Sequence, residues 1–120
     1  MPIEFAIEEE VVDERTHVVA VTGEIDLFTA PEFKQRVAAP IDAGTAHVVV
    51  DLTQTTFIDS SSLGVLIGAH KRLKLRDGGL TVVADSPTIA STFKVTGLDR
   101  VFRLVTSRDE ALADAVSTSA

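Results

Sequence analysis

Polar and apolar residues alternate at the start of the chain with the period of a half-buried β-strand. Positions Ile3–Ile7 show this alternation. A second apolar run, His17–Val21, leads into Gly23–Asp26, and the turn residues Asp13–Thr16 lie between the two runs. The pattern therefore predicts two strands joined as an antiparallel hairpin.

A helical pattern follows the hairpin. Thr29 and Glu32 have the spacing of a capping box, and apolar residues then recur at helical intervals. The next segment, His47–Leu52, is a β-branched run with almost no alternation, which is typical of a strand buried on both faces. We expect this strand to be central in its sheet and the polar segment Thr53–Thr56 to be a loop.

The second half of the chain alternates between helical and strand patterns. A long helix begins after Asp59–Ser62 and runs to about Arg76, Ser86-Pro87 opens another helix, and a capping box at Ser107–Glu110 opens the last one. Short strands separate these helices. The predicted order is ββαβαβαβα, an α/β fold with one mixed sheet of about five strands and four or so helices packed on it.

Composition narrows the possible functions. The 120 residues suit a single domain, expected at 1–116 with a frayed tail at 117–120. A net charge of −7 disfavours nucleic-acid partners, and the absence of cysteine excludes disulfides and thiolate chemistry. The N-terminus does not resemble a secretory signal and no apolar stretch is long enough to span a bilayer. We expect a cytoplasmic protein with no membrane partner.

Motifs for metals, nucleotides and hydrolysis are lacking. His17, His47 and His70 are scattered and do not have the spacing of a metal site, and no glycine-rich phosphate loop occurs. A hydrolase elbow needs Gly-x-Ser-x-Gly, and Ser60 stands where the first glycine should be. We therefore expect no cofactor, no metal ion and no catalytic residue.

Asp51, at the end of the buried strand, suggests a rival chemistry. A receiver domain accepts phosphate on an aspartate in such a place, but it also needs an acidic pair after its first strand and a lysine late in the sheet. Here a second strand follows Glu8–Glu10 before any helix, and the last strand offers Arg103 and no lysine. We expect Asp51 to hold the segment that follows it.

The segment Asp59–Gly64 has two interpretations. Local chemistry alone favours helix capping, because aspartate and serine accept hydrogen bonds from the free N–H groups of a first turn. In the functional interpretation, Ser60, Ser61 and Ser62 place three exposed hydroxyls around those groups. A phosphate there meets backbone donors and the positive end of the helix dipole, beside the carboxylate of Asp59.

Three separated motifs resemble those of the STAS family, specifically bacterial anti-sigma factor antagonists of the SpoIIAA and RsbV type. The family has Gly-Glu-Leu-Asp with Thr-Ala, then Phe-x-Asp-Ser-Ser/Thr-Gly-Leu-Gly at a helix start, then Ser-Pro, Phe and Gly-Leu. The corresponding residues are Gly23–Asp26 with Thr29-Ala30, Phe57–Gly64, and Ser86-Pro87 with Phe93 and Gly97-Leu98. The matches cover nearly the whole chain, and the resemblance implies a single STAS domain.

The resemblance also implies which residues act. The phosphorylated residue is the serine directly after the aspartate, Ser60. The implied partner-binding residues around it are Asp26, Asp59, Ser61, Ser62, Leu63 and Gly64. Position 62 departs from the family, which usually has glycine there. Because glycine permits close approach of another backbone, we expect Ser62 to hinder the partner and to add a competing hydroxyl.

A partner switch is the implied function. The unphosphorylated domain binds an anti-sigma factor and frees a sigma factor. That anti-sigma factor is a serine kinase of the ATP-binding, histidine-kinase-like type, and a PP2C-type phosphatase reverses its action. The chain is then a phosphoacceptor and not an enzyme. The alternative within the family is a non-phosphorylated STAS subunit of a lipid-transport or stress-sensing complex.

Overall fold

A computed structural model describes residues 4–119, with side chains up to residue 113. The predicted order of strands and helices is confirmed, with one additional 3₁₀ turn between α3 and β5. The strands are β1 (Ala6–Val11), β2 (Thr16–Ile25), β3 (His47–Ile58), β4 (Gly79–Val83) and β5 (Arg103–Val105). The helices are α1 (Ala30–Asp42), α2 (Ser60–Lys74), α3 (Pro87–Val95) and α4 (Arg108–Ser119), and the 3₁₀ turn is Leu98–Arg100.

The five described strands form one mixed sheet in the order β1-β2-β3-β4-β5. β1 pairs antiparallel with β2, as the hairpin pattern predicts, and the other neighbouring pairs are parallel. β3 lies in the centre. Val48 and Val50 of β3 belong to the core cluster that includes residues of α1, α2 and α3, whereas Val49 belongs to a smaller cluster with Ala111 of α4. The unalternating valine run therefore reflects helices on both faces of the sheet.

The predicted loop at Thr53–Thr56 is wrong, because β3 continues without interruption to Ile58. Its second half pairs with the end of β2, where Glu24 lies opposite Phe57 and Ile25 opposite Ile58. Thr55 is buried, and its hydroxyl donates to the carbonyl of Val21 at 2.9 Å. A polar residue is stable in this strand because its hydroxyl has a backbone partner.

Three predicted helix caps differ from the observed ones. Thr29 makes no cap hydrogen bond to α1, and Ser86 makes none to α3. At α4, the Ser107 hydroxyl accepts from the Glu110 amide at 3.1 Å, but the Glu110 carboxylate accepts from Thr106 instead of completing the box. Thr29 instead bonds to the amide of Asp26 and the carbonyl of Glu24, because short polar residues readily bond to nearby backbone groups.

The ends of the chain are only partly described. Ile3 lies outside the described residues, and β1 runs from Ala6 to Val11. Helix α4 extends to Ser119, and the domain boundary at residue 116 with its frayed tail stays a prediction. None of the described helices combines the length and apolarity that crossing a bilayer requires.

Candidate functional site

Asp59 organises the start of α2. It has an extended backbone, with φ −132° and ψ −172°, at the N-cap position directly after β3. Its Oδ1 accepts hydrogen bonds from the amides of Ser61 at 3.0 Å and Ser62 at 3.2 Å. Asp59 thus satisfies two of the N–H groups that a first helical turn leaves free. The capping interpretation of this segment is confirmed.

Ser60 is the first residue of α2, and its side chain is exposed. The neighbouring Asp59 carboxylate already holds the amides of Ser61 and Ser62. A phosphate on Ser60 would therefore find two of the expected backbone donors occupied by the Asp59 carboxylate. Since like charges repel, an outward position would be favoured for it.

Ser62 does not lie on the surface, and the expectation of three exposed hydroxyls was wrong at this position. Its side chain is fully buried, at 0% exposure. Its Oγ donates to the carbonyl of Ile25 at 2.8 Å and accepts from the Asp59 amide at 3.3 Å. With the Asp59 bonds, this closes a reciprocal capping box. The Ser62 hydroxyl is thus engaged inside the protein and connects the start of α2 to the end of β2.

Asp26 organises the loop between β2 and α1. Its Oδ1 accepts from the amides of Phe28 at 2.9 Å and Thr29 at 3.0 Å. The Thr29 hydroxyl accepts from the Asp26 amide at 2.9 Å and donates to the Glu24 carbonyl at 3.0 Å. These bonds explain why Thr29 does not cap α1. They also hold the loop in a defined conformation at the carboxyl end of β2, beside the end of β3 that carries Asp59.

The structure brings most of the predicted site residues to one edge of the sheet. Asp26 and Asp59 follow neighbouring parallel strands, and the Ser62–Ile25 bond joins their loops. Ser61 is half-buried, and Gly64 is exposed with open space where a Cβ would stand. Leu63 packs in the core at 8% exposure, so its side chain supports the helix start from beneath.

Exposed apolar side chains at this edge were missed by the sequence analysis. Leu27 and Phe28, in the loop after Asp26, are 71% and 89% exposed. Phe57, next to the end of β3, is 46% exposed. One feature of the sequence could have indicated them. Leu27 and Phe28 are apolar, but they lie in a turn between Asp26 and Thr29 and do not fit the period of a helix or a strand.

Asp51 has a structural role. It is buried, and its Oδ1 accepts from the Thr53 amide at 2.9 Å, which confirms that it holds the segment after it. Its Oδ2 pairs with the guanidinium of Arg108 at 2.9 Å. In the described residues, no cluster of three His, Cys, Asp or Glu has the arrangement of a metal site. Because Asp51 is buried and paired with Arg108, it is not the open phosphate acceptor that the receiver interpretation requires.

Two histidines lie in environments that disfavour their charged form. Burial, and then the nearby charge of Lys74, lower the pKa of His70 below its usual 6.5. His70 packs edge-on against Phe102, with ring centroids 5.4 Å apart, and its Nδ1 is buried without a hydrogen-bond partner. Burial and the charge of Arg15 lower the pKa of His47. Neither histidine lies at the start of α2.

The chain is similar in sequence to one family of known proteins. Residues 9–111 match the family model of the STAS domain. The anti-sigma-B factor antagonist of Staphylococcus aureus is 32% identical over 85 residues, which cover 71% of this chain and 79% of that protein. The residues that match the family model extend from β1 to the first turn of α4.

Solved structures agree in fold. An anti-sigma factor antagonist from Mycobacterium paratuberculosis superposes with a TM-score of 0.82 at 32% identity, covering 94% of this chain and 93% of that one. The anti-sigma factor antagonist SpoIIAA in its unphosphorylated form gives a TM-score of 0.80 at 23% identity, with 93% and 96% of the two chains covered. At 23% identity, the similarity to SpoIIAA shows a shared fold and no more.

Proposed function

Because the chain belongs to the STAS domain family, we propose that it is an anti-sigma factor antagonist whose binding is switched by phosphorylation of Ser60. The observation that carries the proposal is the setting of Ser60, an exposed hydroxyl at the first position of α2, held beside Asp59 by a complete capping box. The unmodified edge of the sheet binds the anti-sigma factor, which then releases its sigma factor. We therefore propose that the chain acts in the cytoplasm.

The chain supplies only the acceptor hydroxyl. The partner, a serine kinase, transfers the γ-phosphoryl group of ATP to Ser60 Oγ. The bond to ADP breaks, the Oγ–P bond forms, and the hydroxyl proton passes to a base of the kinase, whose Mg²⁺ and positioning groups supply the catalysis. A fixed acceptor favours this transfer, and the two amide bonds to Asp59 fix the turn that carries Ser60.

Phosphorylation acts through charge. It adds about −1.5 to −2 at pH 7 beside Asp59, in a chain whose net charge is already −7. A partner that fits the unmodified surface then faces a desolvated dianion. A loss of about 4 kcal/mol weakens binding roughly a thousandfold, which is enough for release without a change of fold. A PP2C-type phosphatase hydrolyses the phosphoserine and restores the binding form.

Relatives support the same mechanism. The Staphylococcus aureus relative carries the name anti-sigma-B factor antagonist. The Bacillus cell fate determinant SpoIIAA has been solved in a phosphorylated form, and it shares the fold with a TM-score of 0.74. In this chain the serine that follows the N-cap aspartate of α2 is Ser60.

The site assignment is tested by incubating the chain with ATP and each anti-sigma factor kinase of its source organism, followed by mass spectrometry of the peptides. We expect one phosphate, on Ser60, that is absent from Ser60→Ala and retained in the matched variant Ser61→Ala. Phosphate on Ser60→Ala would overturn the assignment. Hydroxylamine treatment distinguishes phosphorylation of Ser60 from phosphorylation of Asp51, because hydroxylamine cleaves an acyl phosphate and leaves phosphoserine intact.

Ser60→Ala should still bind the anti-sigma factor when ATP is present, and Ser60→Asp should bind poorly. Binding of the wild-type chain to a partner of another kind, with no labelling by any kinase, would instead favour a non-phosphorylated STAS subunit of a transport or stress-sensing complex.

A further inference from the structure

An exposed apolar pair projects from the edge that carries Ser60. Phe28 is the most exposed large hydrophobic residue of the described chain, at 89%, and the adjacent Leu27 is 71% exposed. Single exposed apolar residues are ordinary on protein surfaces. Two consecutive exposed ones in one loop form a local apolar patch, which is the usual mark of an interface. Phe57, paired with Glu24 near the ends of the same two strands, is also 46% exposed.

The pair is held in place by the polar network around it. Asp26 Oδ1 accepts the amide of Phe28 itself at 2.9 Å, and the Thr29 hydroxyl donates to the carbonyl of Glu24. The buried Ser62 hydroxyl links this loop, through the carbonyl of Ile25, to the helix start that carries Ser60. The loop is therefore ordered before binding, which lowers the entropic cost of using Phe28 as an anchor.

The charged residues next to the apolar pair have one sign. They are Glu24 near the end of β2, Asp26 in the loop after β2 and Asp59 directly after β3. The sequence has no lysine or arginine between Arg15 and Lys34, nor between Arg36 and Lys71, and these two stretches contain all three acidic residues. The patch is thus an apolar tip with an acidic surround. Its complement is an apolar pocket with a basic residue opposite Glu24, while the part of the partner that faces Ser60 is one that a phosphate repels.

This charge pattern disfavours other occupants. A symmetric contact between two copies of the chain would bring the two acidic surrounds together, because an isologous interface pairs a surface with itself. An anionic membrane would repel the same carboxylates. We propose that Phe28, with Leu27, anchors the chain in an apolar pocket of the anti-sigma factor, beside a basic residue that faces Glu24. This inference rests on the proposed function, and it names the chemistry of the partner surface.

The test is calorimetric titration of the anti-sigma factor that phosphorylates Ser60. Phe28→Ala should weaken binding at least about thirtyfold, as expected for a central aromatic anchor. Leu75→Ala is the control, because Leu75 is 87% exposed at the other end of α2, and it should change the affinity less than about twofold. Glu24→Gln should weaken binding and make it less sensitive to salt.

Phosphorylation kinetics give a second readout. Phe28→Ala should raise the KM of the kinase for the chain while leaving kcat nearly unchanged, since Phe28 contacts the partner and not the reacting atoms. Because the side chain is exposed, the variant should fold with an unchanged Tm.

Phe28→Ala binding as tightly as the wild type would overturn the inference and leave the Ser60 switch intact. If the wild-type chain binds no anti-sigma factor, both proposals fail. A concentration-dependent dimer that Phe28→Ala abolishes, with unchanged affinity for the anti-sigma factor, would instead assign the tip to a second copy.

Discussion

At the scale of single residues, position 62 shows how a small hydroxyl gains a structural role. Where the family usually has glycine, Ser62 fills a fully buried position and bonds to both Ile25 and Asp59. The sequence shows the cap but not this burial, because Ser60, Ser61 and Ser62 are chemically equivalent until the helix rotation is known. Only the third of these serines turns towards the end of β2.

We therefore expect Ser62→Gly to destabilise the chain by about 2 kcal/mol, from the lost hydrogen bonds of the buried hydroxyl and the lower helix propensity of glycine. The control Ser61→Gly also lowers the helix propensity but removes no buried hydrogen bond of the side chain. It should lower the free energy of unfolding by about 1 kcal/mol or less. Urea denaturation of both variants measures the difference. Equal free energies of unfolding would show that the Ser62 hydroxyl contributes nothing.

His70 provides a prediction of pH dependence. Its pKa in the folded chain is lowered from 6.5, first by burial and then by Lys74, so the unfolded state binds more protons. Stability should therefore fall as the pH drops from 7 through 6.5, and level off below the folded pKa. His47 acts in the same direction, because burial lowers its pKa too.

His70→Leu should reduce the loss of stability between pH 7 and pH 5, and the double variant with His47→Gln should reduce it further. Denaturation curves at several pH values, kept above the range in which carboxyl groups titrate, measure this. A pH profile of His70→Leu that matches the wild type would contradict the assignment.

At the scale of elements, β3 shows what periodicity leaves undecided. The valine run correctly predicts a central strand, but the polar second half of β3 has no apolar period and reads as a loop. Its strand conformation depends on pairing with β2, with Glu24 opposite Phe57 and Ile25 opposite Ile58. Such long-range pairing overrides local propensity. The same pairing places the ends of β2 and β3, and hence Asp26 and Asp59, side by side.

Helix α4 is attached by an ion pair that the sequence pattern does not reveal. The Asp51 side chain is 7% exposed and bonds to Arg108, at the first position of α4, at 2.9 Å. Arg108→Gln leaves this buried carboxylate without its cation, and we expect a loss of about 2 kcal/mol, below the full buried-pair cost because Arg108 is partly exposed.

Arg72→Gln is the matched control, because Arg72 pairs with Asp42 and both side chains are largely exposed. It should cost less than about 1 kcal/mol. Thermal unfolding of both variants checks the contrast, and Asp51→Asn should partly rescue Arg108→Gln. Equal losses for the two arginine variants would contradict a special role for the Asp51 pair.

At the scale of the whole molecule, the order of elements and the central strand follow from the sequence, because alternating strand and helix patterns admit few folds. The arrangement of the candidate site cannot be predicted from the sequence in the same way. Motifs place Ser60 and Asp59 at a helix start, but the apolar tip at Leu27 and Phe28 depends on how two turns meet at one edge of the sheet. Because the net charge is −7, a phosphate on Ser60, as proposed, would add to charge of the same sign.

The most direct test of the switch is the affinity of the anti-sigma factor for the chain with and without phosphate on Ser60, measured at one salt concentration. We predict a Kd roughly a thousandfold higher for the phosphorylated chain, with an unchanged fold. Raised salt should narrow the gap, because the effect is electrostatic. Equal Kd values for the two forms would contradict the account.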